Sequence, residues 1–153
     1  MSEKPFIPKP DQVDYTHARF APVINCVVRY NRKILVVRRS EKLNFYPGFW
    51  NGVSGFLDDK RSFEEKVKDE LGEELGMEAK NIIAITRGPI FHQEEPEYEK
   101  TWIVHPVLVE VATDAVTLDW EASEYRWIDP LEAGALSLLP GFEKVLASFF
   151  PQT

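Results

Sequence analysis

Two apolar periods alternate along this chain. Residues 23–30 and 33–38 are rich in Val and Ile, the residue types of half-buried strands. Asn31 and Arg32 between them suit a tight turn, so the two stretches predict a β-hairpin. Further on the period lengthens. Phe63, Val67, Leu71 and Leu75 recur every four residues and predict a helix with one apolar stripe. Ser62 followed by Glu65 forms a capping box at its start. Gly76 is placed to end it in a left-handed conformation, and Gly72 inside it costs roughly 1 kcal/mol relative to Ala. Short strands are predicted at residues 49–53, 82–87 and 125–128, and a long one at 102–111, bent near Pro106. Residues 40–48 and 91–100 read as loops, the second polar with four glutamates. One helical turn at 131–135 and a terminal helix at 141–150 complete the pattern, the latter with Phe142, Val145, Leu146 and Phe149 at helical spacing. Strands with a few interspersed helices predict a mixed sheet packed between helices.

Pro5, Pro8 and Pro10 disfavour helix at the start of the chain. Residues 1–20 are therefore assigned to an extended arm and residues 21–153 to the domain. At 153 residues the chain is long enough for one domain with a sizeable core.

Composition narrows the function. The formal net charge is -7, which speaks against gathering nucleic acid by bulk electrostatics, since that requires clustered Lys and Arg. The single cysteine, Cys26, excludes an intramolecular disulfide and fits a reducing, cytoplasmic compartment. It lies in the apolar run PVINCVV, where a thiol packs as an inert hydrophobe. No apolar run approaches transmembrane length, and the first fifteen residues lack the apolar centre of a signal peptide.

Glu70, Glu73 and Glu74 change the picture most. At about 100° per residue they fall within roughly a third of the helix circumference, flanking the apolar stripe. Acids so crowded repel one another. Either they form a solvated acidic face, or a divalent cation sits among them, and a cation held by carboxylates points to phosphate chemistry.

The stretch 55–77, GFLDDKRSFEEKVKDELGEELGM, resembles the signature of the Nudix hydrolases, G-x5-E-x7-R-E-U-x-E-E-x-G-U with U a bulky aliphatic residue. Gly55, Glu70, Leu71, Glu73, Glu74, Gly76 and Met77 fall on it in register. The LVVRR hairpin, YPGFW before the glycine and a late Glu124-x-x-Trp127 follow the family's order. The resemblance implies an α/β fold, a Nudix-type α/β/α sandwich with a mixed β-sheet. It also implies a metal-dependent hydrolase that cleaves a pyrophosphate bond in a nucleoside diphosphate-linked or similar substrate, by water attack at phosphorus. Glu70, Glu73 and Glu74 would hold Mg²⁺ or Mn²⁺, with Glu70 and Glu73 catalytic. A small-molecule pyrophosphate is the expected partner, with no membrane, and the family leaves room for a homodimer.

Two positions depart from the signature. Arg61 stands where the family has Glu, and Asp69 where it has Arg. They read either as an ion pair with its sign reversed or as two independent changes; Asp58 or Asp59 could compensate from the preceding loop. A Nudix domain without hydrolysis, acting as a nucleotide-binding or regulatory module, is the alternative these departures suggest. An isopentenyl diphosphate isomerase-like enzyme is a second, for which Cys26 sits too early and in too apolar a strand. Arg38 and Arg39 end a strand near the expected mouth of the site and would bind phosphate or form surface ion pairs. Tyr46, Phe49 and Trp50 would stack on a base or fill the core, and Gly55 would line the site. A further base is sought among Glu94, Glu95, Glu97, Glu99 and His92.

Overall fold

The hairpin predicted from Val and Ile is the spine of the molecule. In the computed structural model, which describes residues 12–15 and 17–151, β1 (Phe20–Tyr30) and β2 (Lys33–Arg39) are antiparallel neighbours. Asn31 and Arg32 between them both adopt positive φ, 50° and 71°, as a turn matched to the right-handed strand twist requires. The part of the predicted arm at residues 1–11 lies outside the described residues.

β3 (Trp50–Asn51) and β4 (Val53–Phe56) replace the single short strand expected there. The chain changes neighbours between them, β3 pairing with β2 and β4 with β1. Then come α1 (Phe63–Leu75), β5 (Ile82–Arg87), β6 (Phe91–Glu95), β7 (Lys100–Val111), β8 (Ala122–Ile128) and α2 (Phe142–Phe149), with short 3₁₀ turns at Ala79–Asn81, Pro96–Tyr98 and Pro130–Ala135. The sheet runs β3-β2-β1-β7-β5, with β4 on β1, β6 on β7 and β8 on β2. β1 and β7 run parallel from Phe20 opposite Thr101 to Arg29 opposite Glu110, and the Arg29 guanidinium pairs with the Glu110 carboxylate.

The polar loop expected at 91–100 is corrected. Its first half is strand β6, paired along β7 from Phe91–Val104 to Glu95–Lys100. Phe91, Gln93 and Glu95 are partly buried while His92 and Glu94 are exposed, the alternation of a half-buried strand. The glutamates mask that alternation in the sequence. β7 runs unbroken through Pro106. That proline falls where the antiparallel neighbour changes from β6 to β5, so no ladder bond to either requires its missing N–H.

The sheet separates two cores. Ile24, Cys26 and Val28 of β1 face Val67, Leu71 and Leu75 of α1. Ala21 and Val27 face Phe142, Val145 and Leu146 of α2. Alternate residues of one strand thus serve both helices, which gives the expected α/β/α sandwich. Helix α1 carries the predicted capping box at Ser62 and Glu65, and Gly76 closes it at φ 65°. Among the described residues no helix is long and apolar enough to cross a membrane.

Candidate active site

Where α1 meets β4, a cleft of about 1040 Å³ opens. Asp58, Lys66, Glu70 and Glu73 line one end. Gly55 of β4 has no side chain because Glu70 takes the space: a Cβ there would lie 2.5 Å from Glu70 Cδ. A fold that needs Glu70 at the core edge therefore needs glycine at 55.

Lys66 holds this end together. It is only 4% exposed, and its Nζ lies 3.2 Å from both Asp58 Oδ1 and Glu70 Oε1. Burial works against the ammonium, but the Glu70 and Asp58 charges outweigh it and raise its pKa. Removing one partner from such a buried set typically costs ~3–5 kcal/mol. Neither Lys66 nor its contact was foreseen; the signal was a lysine beside the apolar stripe, one turn before Glu70.

Arg61 and Asp69 do meet. Arg61 Nη1 donates to Asp69 Oδ2 at 2.7 Å, and its Nη2 to Asp59 Oδ2 at 2.6 Å. The loop before α1 folds back, as the contact demands over eight residues. The Arg61 guanidinium holds the Asp59 carboxyl down at about 2. So the pair survives with reversed sign, Asp59 adds to it, and Asp58 serves Lys66.

The remaining acids feel the Glu70 charge. Burial, followed by the charges of Glu121 and Glu70, pushes Glu74 well above the usual carboxylate range. Glu73 is raised by burial and by Glu70. Glu121 is pushed up to about 7 by burial, then by Asp119 and Glu70. Carboxylates this close resist ionising together. Glu74 Oε2 is sealed from solvent without a hydrogen-bond partner. An orphaned oxygen and an all-oxygen donor set fit a hard divalent cation such as Mg²⁺ or Mn²⁺. As they stand, no three His, Cys, Asp or Glu side chains among the described residues converge closely enough to enclose an ion. Lys66 occupies one side of Glu70, so some carboxylates would have to turn.

Glu121, just before β8, is the late acid of this cluster. The candidates in 91–100 belong elsewhere: Glu94 and Glu95 lie on β6, Glu97 and Glu99 in and after the 3₁₀ turn, and none of them lines the cleft, nor does His92. Two substrate-binding candidates do not line the cleft and take the other role open to them, a surface ion pair and a place in the core. Arg38 pairs with Glu124 on the surface at 3.4 Å, because successive strand residues point to opposite faces and Arg39 takes the inward one. Trp50 is buried with Arg126 over its ring at 4.8 Å. Arg39 does line the cleft, and its Nε donates to Phe45 O at 3.0 Å. Tyr46 lines it too, its hydroxyl accepting from Trp102 Nε1 at 2.8 Å.

The far end of the cleft is aromatic and amide-lined. Phe45, Tyr46, Phe56 and Trp102 form walls. On the floor Asn25 Nδ2 donates to Asn51 Oδ1 at 2.9 Å and Asn51 Nδ2 to Ser54 Oγ at 3.3 Å, leaving Asn25 Oδ1 buried without a partner. Residues 12–15 form the rim. Gln12 Nε2 donates to Asp58 Oδ2 at 2.8 Å, and Tyr15 stacks on Phe56 with ring centroids 5.7 Å apart.

Comparison with known proteins agrees with this architecture. The chain is 30% identical over 110 residues to the isopentenyl-diphosphate Delta-isomerase of Kocuria rhizophila, an alignment covering 68% of this chain and 59% of that enzyme. It is 33% identical over 66 residues to the NAD-capped RNA hydrolase NudC of Chromobacterium violaceum, covering 43% of this chain and 24% of that protein. The chain thus spans less than two thirds of the length of these curated relatives. The crystal structure of a MutT NUDIX hydrolase from Burkholderia pseudomallei superposes with a TM-score of 0.71 at 15% identity, covering 86% of this chain and 98% of that one. The NUDIX domain model matches residues 19–152, a span that holds both helices, the whole sheet and the acid cluster, and the chain belongs to the NUDIX domain family.

Proposed function

We propose that the chain hydrolyses a pyrophosphate bond in a nucleoside diphosphate-linked or similar small molecule. The observation that carries this reading is the cluster of buried Glu70 with half-buried Glu74 and Glu121, and the unpartnered, sealed Glu74 oxygen. Glu70, Glu73 and Glu74 are the proposed ligands of Mg²⁺ or Mn²⁺, with Glu121 beside them. Such an ion, when bound, offsets phosphate charge and acidifies water.

The chain's own groups supply the rest. Lys66 and Gly55 hold the Glu70 carboxylate at the cleft edge, where it orients the attacking water. Glu121, raised by burial and by the Asp119 and Glu70 charges, is the further carboxylate at the cleft beside the proposed ligands. Arg39 is the cation nearest this role for a phosphate oxygen. The aromatic walls and the Asn25 amide suit a planar group that offers a hydrogen-bond donor.

The 30% identity to an isopentenyl-diphosphate Delta-isomerase favours a second reading, isomerisation of an allylic diphosphate. Cys26, however, is fully buried against α1 and does not line the cleft, so it is not available as the acid or base such a reaction requires.

A screen of nucleoside triphosphates, ADP-ribose, dinucleoside polyphosphates, nucleotide sugars and isopentenyl diphosphate with Mg²⁺ or Mn²⁺ tests both. The expected result is cleavage of a pyrophosphate that chelator abolishes and that Glu70→Gln reduces at least ~100-fold in kcat. Binding of a nucleotide without cleavage would leave a binding module, and double-bond migration would select the isomerase.

A further inference from the structure

A lysine that is only 4% exposed is unusual on a helix that carries so many acids. Lys66 does not snorkel to water; its ammonium ends between Asp58 and Glu70, at 3.2 Å from each, and those side chains are themselves only 6% and 11% exposed. The neighbouring Arg61 is engaged by Asp59 and Asp69 instead. Lys66 is thus the cation seated against Glu70, a carboxylate whose charge also acts on Glu74 and Glu121. A fixed positive charge in contact with a carboxylate opposes any second cation on the same carboxylate, and in a partly dry site the opposition is strong.

We propose that Lys66 is a resident counter-ion of the acid cluster: it positions Glu70 and supplies charge that a divalent cation would otherwise provide, so that it weakens divalent binding at this site. This rests on the reading of the cluster as a divalent site. Two consequences follow from the geometry. Without metal, Lys66 keeps Glu70 and Asp58 compensated, so the cluster is stable while empty. With metal, the ion must share Glu70 with an ammonium, so the site releases it more readily than carboxylates alone would allow.

Mn²⁺ titration followed by the electron paramagnetic resonance of free Mn²⁺ tests this on the full chain, comparing wild type with Lys66→Gln and Lys66→Arg. Lys66→Gln removes the charge but keeps a donor for Glu70. It is expected to bind Mn²⁺ on the order of tenfold more tightly, whereas Lys66→Arg, which keeps the charge, binds like the wild type. A loosened structure would instead weaken Mn²⁺ binding in both variants. If Lys66→Gln unfolds without metal, the Mn²⁺ dependence of its melting temperature reports the same affinity through linkage, and a Mn²⁺-induced rise larger than that of the wild type supports the proposal. Wild type that binds Mn²⁺ while Lys66→Gln binds no tighter overturns the role of Lys66 and leaves the divalent site standing. Absence of Mn²⁺ binding in all three overturns the divalent site, and the role of Lys66 with it.

Discussion

At the scale of single residues, the site is an arrangement of charges around Glu70. Lys66 grips that carboxylate, whose charge acts on Glu74 and Glu121, and Gly55 leaves the space it fills. Of these, Glu70, Glu74 and Gly55 were legible from spacing and from the family signature. Lys66 and Glu121 were not. Spacing places a residue around a helix, but whether a lysine folds inward depends on which carboxylates the rest of the chain brings to it. Gly55→Ala isolates the steric part. Its Cβ would lie 2.5 Å from Glu70 Cδ, so the flexible Glu70 side chain, and not the backbone, must give way. We expect turnover of the cleaved pyrophosphate to fall at least ~10-fold, because a displacement of about 1 Å at a reacting group is costly. The melting temperature should move little, and a loss of stability as large as the loss of activity would contradict this account.

Among the elements, α1 and the loop before it carry the departures from the family pattern. The sequence left open whether Arg61 and Asp69 form one ion pair with reversed sign or are two independent changes, and the 2.7 Å contact is consistent with the pair. A double-mutant cycle measures it. Arg61→Glu and Asp69→Arg each lose an attractive contact, and their combination should recover ~0.5–1 kcal/mol of coupling in urea unfolding, the range of a half-exposed pair. Recovery stays incomplete because Asp59 then faces a second carboxylate. Additive single effects would mean that the two residues are energetically independent. The strands were legible where Val and Ile alternate, as in the hairpin. β6 was hidden because its pairing with β7 is made by backbone groups, while its side chains advertise a loop. Arg38 and Arg39 show the same limit: adjacent in sequence, they point to opposite faces once β8 pairs with β2, and only one reaches the cleft.

Across the whole molecule, the parallel pairing of β1 with β7 joins the first strand to the middle of the chain and forms the centre of the sheet between the α1 core and the α2 core. The segment before β1 completes its rim. Lys100, 2% exposed at the start of β7, donates to the carbonyls of Tyr15 and Ala18, which ties the segment to the sheet. Deleting residues 1–18 should therefore lower stability by ~1–3 kcal/mol, since hydrogen bonds from a charged donor are lost with the Tyr15–Phe56 stack. Urea denaturation measures the loss, and an unchanged midpoint would show that the segment rests on the domain without holding it.

By itself the sequence determined the elements whose periodicity is local: the hairpin, the capped helix with its apolar stripe, and the row of glutamates along that stripe. Those follow from chain geometry over a few residues, where side-chain direction is set by backbone repeat. Tertiary structure decided which charges meet. Asp58 with Lys66, Glu121 with Glu74, Arg39 rather than Arg38 in the cleft, and a strand in place of an acidic loop all depend on contacts between distant segments, and their energies exist only once the sheet has brought those segments together and removed water from between them.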